Sequence, residues 1–216
     1  MRVAPFLALF LSASIAESAV VVGPTGNGYE YVAATDIAWT DAKAAAETVS
    51  YNGVSGHLAT VFSEQENDHV LSILTGIDAS AWLGGTDSET EGQWKWLSGE
   101  IFWQGDFTGT PGPDVTYANW RPGVEPNDSD AGFGEDYLAI YGAAAPGGGG
   151  VTGPGDWNDL RNTPVGGSGA WSISGYVVEY ELSAIPLPPA LYLFGTGLLG
   201  LVGMARRRAI LVRRSS

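Results

Sequence analysis

Apolar positions in this chain come in short blocks, each set off by glycine, proline or acidic residues, and each block predicts one element. Tyr29 to Val32 alternates enough for an opening strand. Thr40 is placed to cap a helix that runs through an alanine-rich stretch to near Ser50. Ser63-Glu64-Gln65-Glu66 has the form of a capping box. Val70, Leu71, Ile73 and Leu74 supply the apolar face of the helix behind it. Ala81–Gly84 reads as a strand, and loops dominate after it. Trp103 to Thr116, with three glycines and two prolines, reads as irregular. Strands return at Tyr137–Tyr141, Asp156–Asp159 and Tyr176–Tyr180. The pattern is thus two helices among short strands. No internal repeat is visible.

Two more apolar blocks lie at the ends and read as addresses rather than fold. Met1-Arg2, apolar Val3 to Leu11 and then Ser14-Ile15-Ala16 have the form of a secretory signal peptide over 1–16, cleaved before Glu17. No charged residue occurs between Glu181 and Arg206. Leu187 to Met204 is apolar enough for a short, glycine-rich membrane-spanning helix, and Arg206, Arg207 and Arg208 would hold the following tail in the cytoplasm. The chain thus divides into 1–16, a globular domain over 17–184 and a C-terminal segment over 185–216.

Charge sharpens this picture. The 216 residues carry a formal charge of −14. Six of the ten basic residues lie at the two ends, so 17–184 holds four bases against all 24 acids, a net of −20. Such a surface repels phosphate backbones and argues against nucleic-acid binding. A hydrophobic share of 44% is enough for one core in one domain. His57 and His69, the two histidines, have no nucleophile motif beside them and read as structural. Pro146–Gly150 lacks the Lys-Ser/Thr of a phosphate loop. Trp82, Trp94, Trp96 and Trp157 read as core; Trp120 fits either the core or a binding loop. Asn127-Asp128-Ser129 matches a glycosylation sequon, which is incompatible with Asn127 acting as a ligand.

The candidate chemistry lies in three stretches: Glu125-Pro126-Asn127, Gly134-Glu135-Asp136 and Trp157-Asn158-Asp159. Calcium takes about six to eight oxygens from carboxylates, amide carbonyls and water. Glu125, Asn127, Glu135, Asn158 and Asp159 offer five side-chain donors of that kind, and a cis bond before Pro126 would let its neighbours face one ion. In order and spacing these motifs resemble the C-type lectin-like domain. Further segments carry the resemblance from about Tyr29 to Glu181: Trp39-Thr40-Asp41-Ala42, Gly56-His57-Leu58-Ala59, Ser63–Asn67, Ala81-Trp82-Leu83-Gly84-Gly85, Trp94-Lys95-Trp96, Tyr117-Ala118-Asn119-Trp120 and Gly175–Tyr180.

The resemblance implies an α+β fold, two helices flanking small antiparallel sheets, with a long calcium-binding loop region. It places Glu125, Asn127, Glu135, Asn158 and Asp159 on the principal calcium and sugar site. An auxiliary calcium site falls on Asp87, Glu91, Asp128, Glu135 and Asp136. The Glu125-to-Glu135 segment, which includes Asp130, departs from the family's loop. Glu-Pro-Asn resembles the mannose-type signature, and Gln-Pro-Asp, the galactose-like one, is absent. The family's two disulfides would fall on Ala46 with Val178 and Tyr137 with Asn162, but this chain has no cysteine. Each missing bridge forfeits about 2–4 kcal/mol, which packing must replace. Separately, Ile185-Pro186-Leu187-Pro188-Pro189-Ala190, the apolar run and the arginines resemble the PEP-CTERM sorting signal in its Val-Pro-Leu-Pro-Ala variant. That resemblance implies processing by an exosortase in a Gram-negative cell; a plain C-terminal anchor is the alternative.

Three functions fit. One is a calcium-dependent lectin of mannose type, first held in the inner membrane and then displayed on the cell surface or in the extracellular matrix, with glycans or exopolysaccharide as partners. Another is a structural or adhesive protein that binds protein ligands. An enzyme is disfavoured, because the clustered carboxylates are better explained as calcium ligands.

Overall fold

The structure, a computed structural model, describes residues 19–129, 134–143, 153–163 and 172–182. The expected signal peptide, Asp130, the Pro146–Gly150 run and all of 185–216 lie outside the described residues. Among the described residues no helix is long and apolar enough to cross a membrane. The chain falls into two compact units, one ending at Glu181 and one starting at Leu182, and every element belongs to the first. These elements are β1 (Val21–Val22), β2 (Gly28–Ala33), α1 (Trp39–Thr48), β3 (Ser50–Tyr51), β4 (Val54–Ser55), β5 (His57–Leu58) and α2 (Glu64–Ile73). After them come β6 (Ser80–Thr86), β7 (Gln93–Trp96), β8 (Ile101–Gln104), β9 (Thr110–Pro111), β10 (Tyr137–Tyr141), β11 (Trp157–Leu160) and β12 (Ile173–Tyr180).

One sheet runs β1-β2-β12-β6-β7-β8-β9, and β3 and β4 form a separate hairpin. An early strand and the last one lie side by side: β2 and β12 are antiparallel from Gly28↔Tyr180 to Ala33↔Gly175. β12 then joins β6 in parallel, with Tyr176 opposite Trp82. β10 branches from β6 and carries β11 on its far edge. That branch is what positions the site. The expected α+β architecture with two helices is observed.

Helix α1 buries Trp39, Ala42 and Ala46, one face at helical spacing. It starts one residue before the expected Thr40 cap. Ala38 stands in the cap position with no side-chain bond. The Thr40 N–H is instead taken at 3.0 Å by Asn162 Oδ1, from the far end of the domain. Helix α2 begins as read: Ser63 Oγ accepts the Glu66 N–H at 3.3 Å. The reciprocal arm is displaced, since Glu66 Oε2 accepts from Phe62 N–H at 2.7 Å and from the Ser63 hydroxyl at 3.4 Å rather than from the Ser63 backbone N–H. The stretch expected to be irregular holds a small pairing, with Trp103 opposite Pro111 and Gln104 opposite Thr110.

The core is aromatic. Trp82, Trp94, Trp96 and Trp157 are buried as expected, and Trp120, only 7% exposed, belongs with them. Trp96 stacks on Phe102 at 4.5 Å and meets the Trp157 ring edge-on at 5.6 Å. Aromatics of this size bury about 150–250 Å² each and prefer such offset and edge-on contacts. Where the family's bridges would fall, Ala46 and Val178 are fully buried, and Tyr137 packs on Trp39 at 4.7 Å. Packing occupies these positions in a cysteine-free chain. His69 lies edge-on to Tyr29 at 5.2 Å, in keeping with a structural role.

Candidate carbohydrate and metal site

Strand β11 organises the site. Trp157 N–H donates to Asn119 O at 2.7 Å, and Arg121 N–H donates to Trp157 O at 3.0 Å. Residues 119–121 therefore run beside β11, in parallel with it. On its other edge β11 pairs with β10, Asp159 opposite Leu138 and Asn158 opposite Ala139. Glu135 and Asp136 immediately precede β10. A turn closes from Arg121 O to the N–H groups of Val124 and Glu125, at 3.2 and 3.1 Å. The Glu125-Pro126 bond that follows is cis. Three separate segments thus meet at one end of the β10–β11 pair.

Hydrogen bonds tie them together. Asp159 Oδ2 accepts from the N–H groups of Asn127 and Asp128, both at 2.8 Å. Asn127 Nδ2 donates to Glu125 Oε2. Glu135 Oε2 accepts from the Ser129 N–H at 2.8 Å and its hydroxyl at 3.1 Å, and Glu135 N–H donates to Asp128 Oδ1 at 2.9 Å. Glu125 and Asp159 are both buried, and their charges interact. Burial first, then the Asp159 charge, pushes the Glu125 carboxyl up to about 8, with Arg121 opposing the shift. Asp159 is also raised, chiefly by burial.

The five residues expected at the auxiliary position adjoin this group. Asp87 N–H donates to Asp136 O at 3.2 Å, and Asp87 Oδ2 accepts from Gly92 N–H at 2.9 Å. Burial pushes the Asp87 carboxyl up to about 7, and the charges of Glu91, Asp136 and Asp159 add to it. Glu91 and Asp136 are raised by burial and then by Asp128. Glu135 meets the same cluster through Asp128.

A hard cation fits what is left over. Asp87 Oδ1, Glu125 Oε1, Asn127 Oδ1 and Asp159 Oδ1 are buried oxygens that accept no hydrogen bond, and Asn158 Nδ2 is a buried donor that makes none. Buried polar atoms of this kind are costly, because each has lost water without gaining a hydrogen bond of its own. Oxygen-only donors of carboxylate and amide type suit calcium rather than zinc or copper. Among the described residues no three His, Cys, Asp or Glu side chains form a ready-made metal cluster. The donor set is instead mixed, with the Asn127 and Asn158 amides completing the carboxylates.

Arg121 was not anticipated from sequence. It is buried, and its guanidinium Nη1 stands 4.0 Å from Glu125 Oε1. The available signal was one arginine four residues before Glu125, in a segment with only four bases. Asn67 was also missed; its Oδ1 accepts from Trp157 Nε1 at 2.8 Å and so fixes β11 to α2.

Comparison with known proteins agrees with this architecture. The family model "Lectin C-type domain" matches residues 37–139. Halomucin of Haloquadratum walsbyi is 42% identical over 126 residues, which is 56% of this chain and 1% of that protein. Pulmonary surfactant-associated protein D of Sus scrofa is 33% identical over 86 residues, 40% of this chain and 19% of that protein. The chain therefore spans a small part of the curated relatives it matches. The mouse scavenger receptor C-type lectin carbohydrate-recognition domain superposes with a TM-score of 0.50 at 28% identity, covering 74% of this chain and 92% of that one. Residues 37–139 thus match the C-type lectin domain model, and the fold described above is that of a C-type lectin domain.

Proposed function

We propose that the domain binds carbohydrate through a calcium ion held by Glu125, Asn127, Glu135, Asn158 and Asp159, with mannose-type preference. A calcium ion there would supply positive charge and open coordination positions for two neighbouring sugar hydroxyls. The chain's own groups would complete the recognition. Glu125 would accept a hydrogen bond from a hydroxyl, and the amides of Asn127 and Asn158 would donate, so each hydroxyl finds both kinds of partner. Asn158 Nδ2 is already buried without an acceptor. Asp87, Glu91, Asp128, Glu135 and Asp136 would hold a second ion.

The observation that carries this reading is the group of buried oxygens accepting no hydrogen bond on Glu125, Asn127 and Asp159. Retention on mannose resin in calcium, release by chelator, and competition by free mannose but not galactose are the expected results. Calcium binding without retention on any hexose would assign the domain to protein ligands instead.

We further propose, from sequence, that the protein is exported and sorted to the surface of a Gram-negative cell through residues 185–216. Mass spectrometry of mature surface protein in the native host tests this. Recovery of the intact C-terminal peptide would make the segment a permanent anchor and overturn exosortase processing.

A further inference from the structure

Arg121 is set apart from the lysines of the domain. Lys43 and Lys95 are paired near the surface, with Glu47 at 2.6 Å and Glu89 at 2.5 Å. The Arg121 side chain is only 9% exposed, and that of Glu125, its partner four residues on, is 1% exposed. The turn between them is closed by backbone hydrogen bonds to Arg121 O, so the guanidinium is delivered to this carboxylate by local geometry. It also acts on its surroundings: its charge favours ionisation of Asp156, just before β11, and of Tyr141, at the end of β10. One buried cation therefore faces the loop, β10 and the approach to β11. The oxygen it faces, Glu125 Oε1, is one of those that accept no hydrogen bond.

A buried arginine and a dication cannot share one carboxylate oxygen without cost. In the metal-free domain, Arg121 is the cation beside Glu125, and it opposes the rise that burial and Asp159 impose on that carboxyl. With a dication bound, the same guanidinium repels it. We infer that Arg121 is a resident counter-charge, a positioning residue that holds the Glu125 arm in place without calcium and weakens calcium binding when the ion arrives. The inference rests on the calcium reading above and extends it. Its consequence is a site that releases calcium, and with it sugar, without loss of the surrounding fold.

The test compares the full chain with its Arg121→Gln and Arg121→Lys variants. Calcium affinity is read by calorimetry, and melting is read in chelator. Arg121→Gln should bind calcium about tenfold more tightly, the lower range for removing one charge a few ångströms from a dication in a partly buried site. It should also melt lower than the unaltered protein in chelator. Arg121→Lys should restore both values toward the original, which a role in packing alone would not produce. Equal or weaker calcium binding by Arg121→Gln overturns the inference. If that variant does not fold in chelator, the double variant with Glu125→Gln decides. Recovery of folding supports a charge role, and continued unfolding assigns Arg121 to packing. Failure of the unaltered protein to bind calcium overturns the calcium reading and the affinity half of this one, while the melting comparison still judges the pairing.

Discussion

Asn158 and Asp159 are neighbours on β11, both buried, with opposite effects on the metal-free fold. Asp159 Oδ2 holds two backbone N–H groups of the Asn127–Asp128 loop, whereas Asn158 Nδ2 holds nothing. Asp159→Ala should therefore cost about 2 kcal/mol in chelator, since two N–H groups lose a charged acceptor. Asn158→Ala should stay within about 1 kcal/mol of the original, because it deletes a buried donor that was already unpaired. Urea unfolding checks both. Equal losses would mean that Asp159 does not organise the loop. Both variants should lose calcium-dependent retention on mannose resin.

The raised carboxylates set the sign of the pH dependence. Glu125 and Asp87 titrate near 8 and 7 in the folded domain, against ordinary values of 4.5 and 3.8. Between those limits the folded state binds more protons than the unfolded chain, so stability falls as pH rises. Their stabilising effect is complete below about pH 4 and lost through about pH 8. Metal-free protein should accordingly melt lower at pH 8 than at pH 5.5. Saturating calcium should reverse or flatten the slope, because bound cations favour the ionised acids. Melting in chelator that rises steadily from pH 5.5 to pH 8 would contradict the burial of these groups. The acids and amides that the structure gathers at the end of β10 and β11 were legible in sequence, because hard-cation chemistry singles out those residue types. Arg121 was not, since no rule of ligand chemistry calls for a base among the acids, and whether a base is buried depends on the fold.

Elements were legible where a period had room to repeat. α2, β6, β10 and β12 each span five or more residues, and each was read from its apolar pattern. β3, β4, β5 and β9 are two residues long, too short for an alternation to appear. β9 also lies inside a glycine- and proline-rich run whose composition reads as loop. The start of α1 was misplaced because its first two N–H groups, of Trp39 and Thr40, are satisfied by the carbonyl and side-chain oxygens of Asn162, which only the fold brings near. The same kind of distant contact makes α2 a support for the site. Asn67 accepts from the Trp157 indole at 2.8 Å and donates to Gly155 O at 3.2 Å. Asn67→Ala leaves a buried indole N–H without an acceptor and should cost about 1–3 kcal/mol by urea unfolding. A neutral result would mean that β11 is fixed by its strand partners and the tryptophan core alone.

At the scale of the molecule, the domain stays folded without disulfides and against its own charge. Four bases stand against 24 acids between 17 and 184, and part of that excess lies in the Asp87–Glu91 and Asn127–Asp136 segments. A bound dication would act there twice, filling the unpaired oxygens and relieving local repulsion. Binding to the folded state alone stabilises by mass action, about 1.4 kcal/mol at ten times the dissociation constant. For a domain of this size that is a rise of about 3–6 °C in melting temperature. Salt complicates the comparison, because screening also relieves a net charge of this size. The measurement therefore sets calcium against sodium chloride of equal ionic strength, with magnesium as a second control. Magnesium keeps its waters and demands near-octahedral geometry, so a mixed carboxylate and amide loop should respond to it weakly. A rise specific to calcium, saturating between about 0.1 and a few millimolar, is expected for an extracellular module. Equal rises in all three salts would assign the effect to screening and leave the unpaired oxygens without a cation.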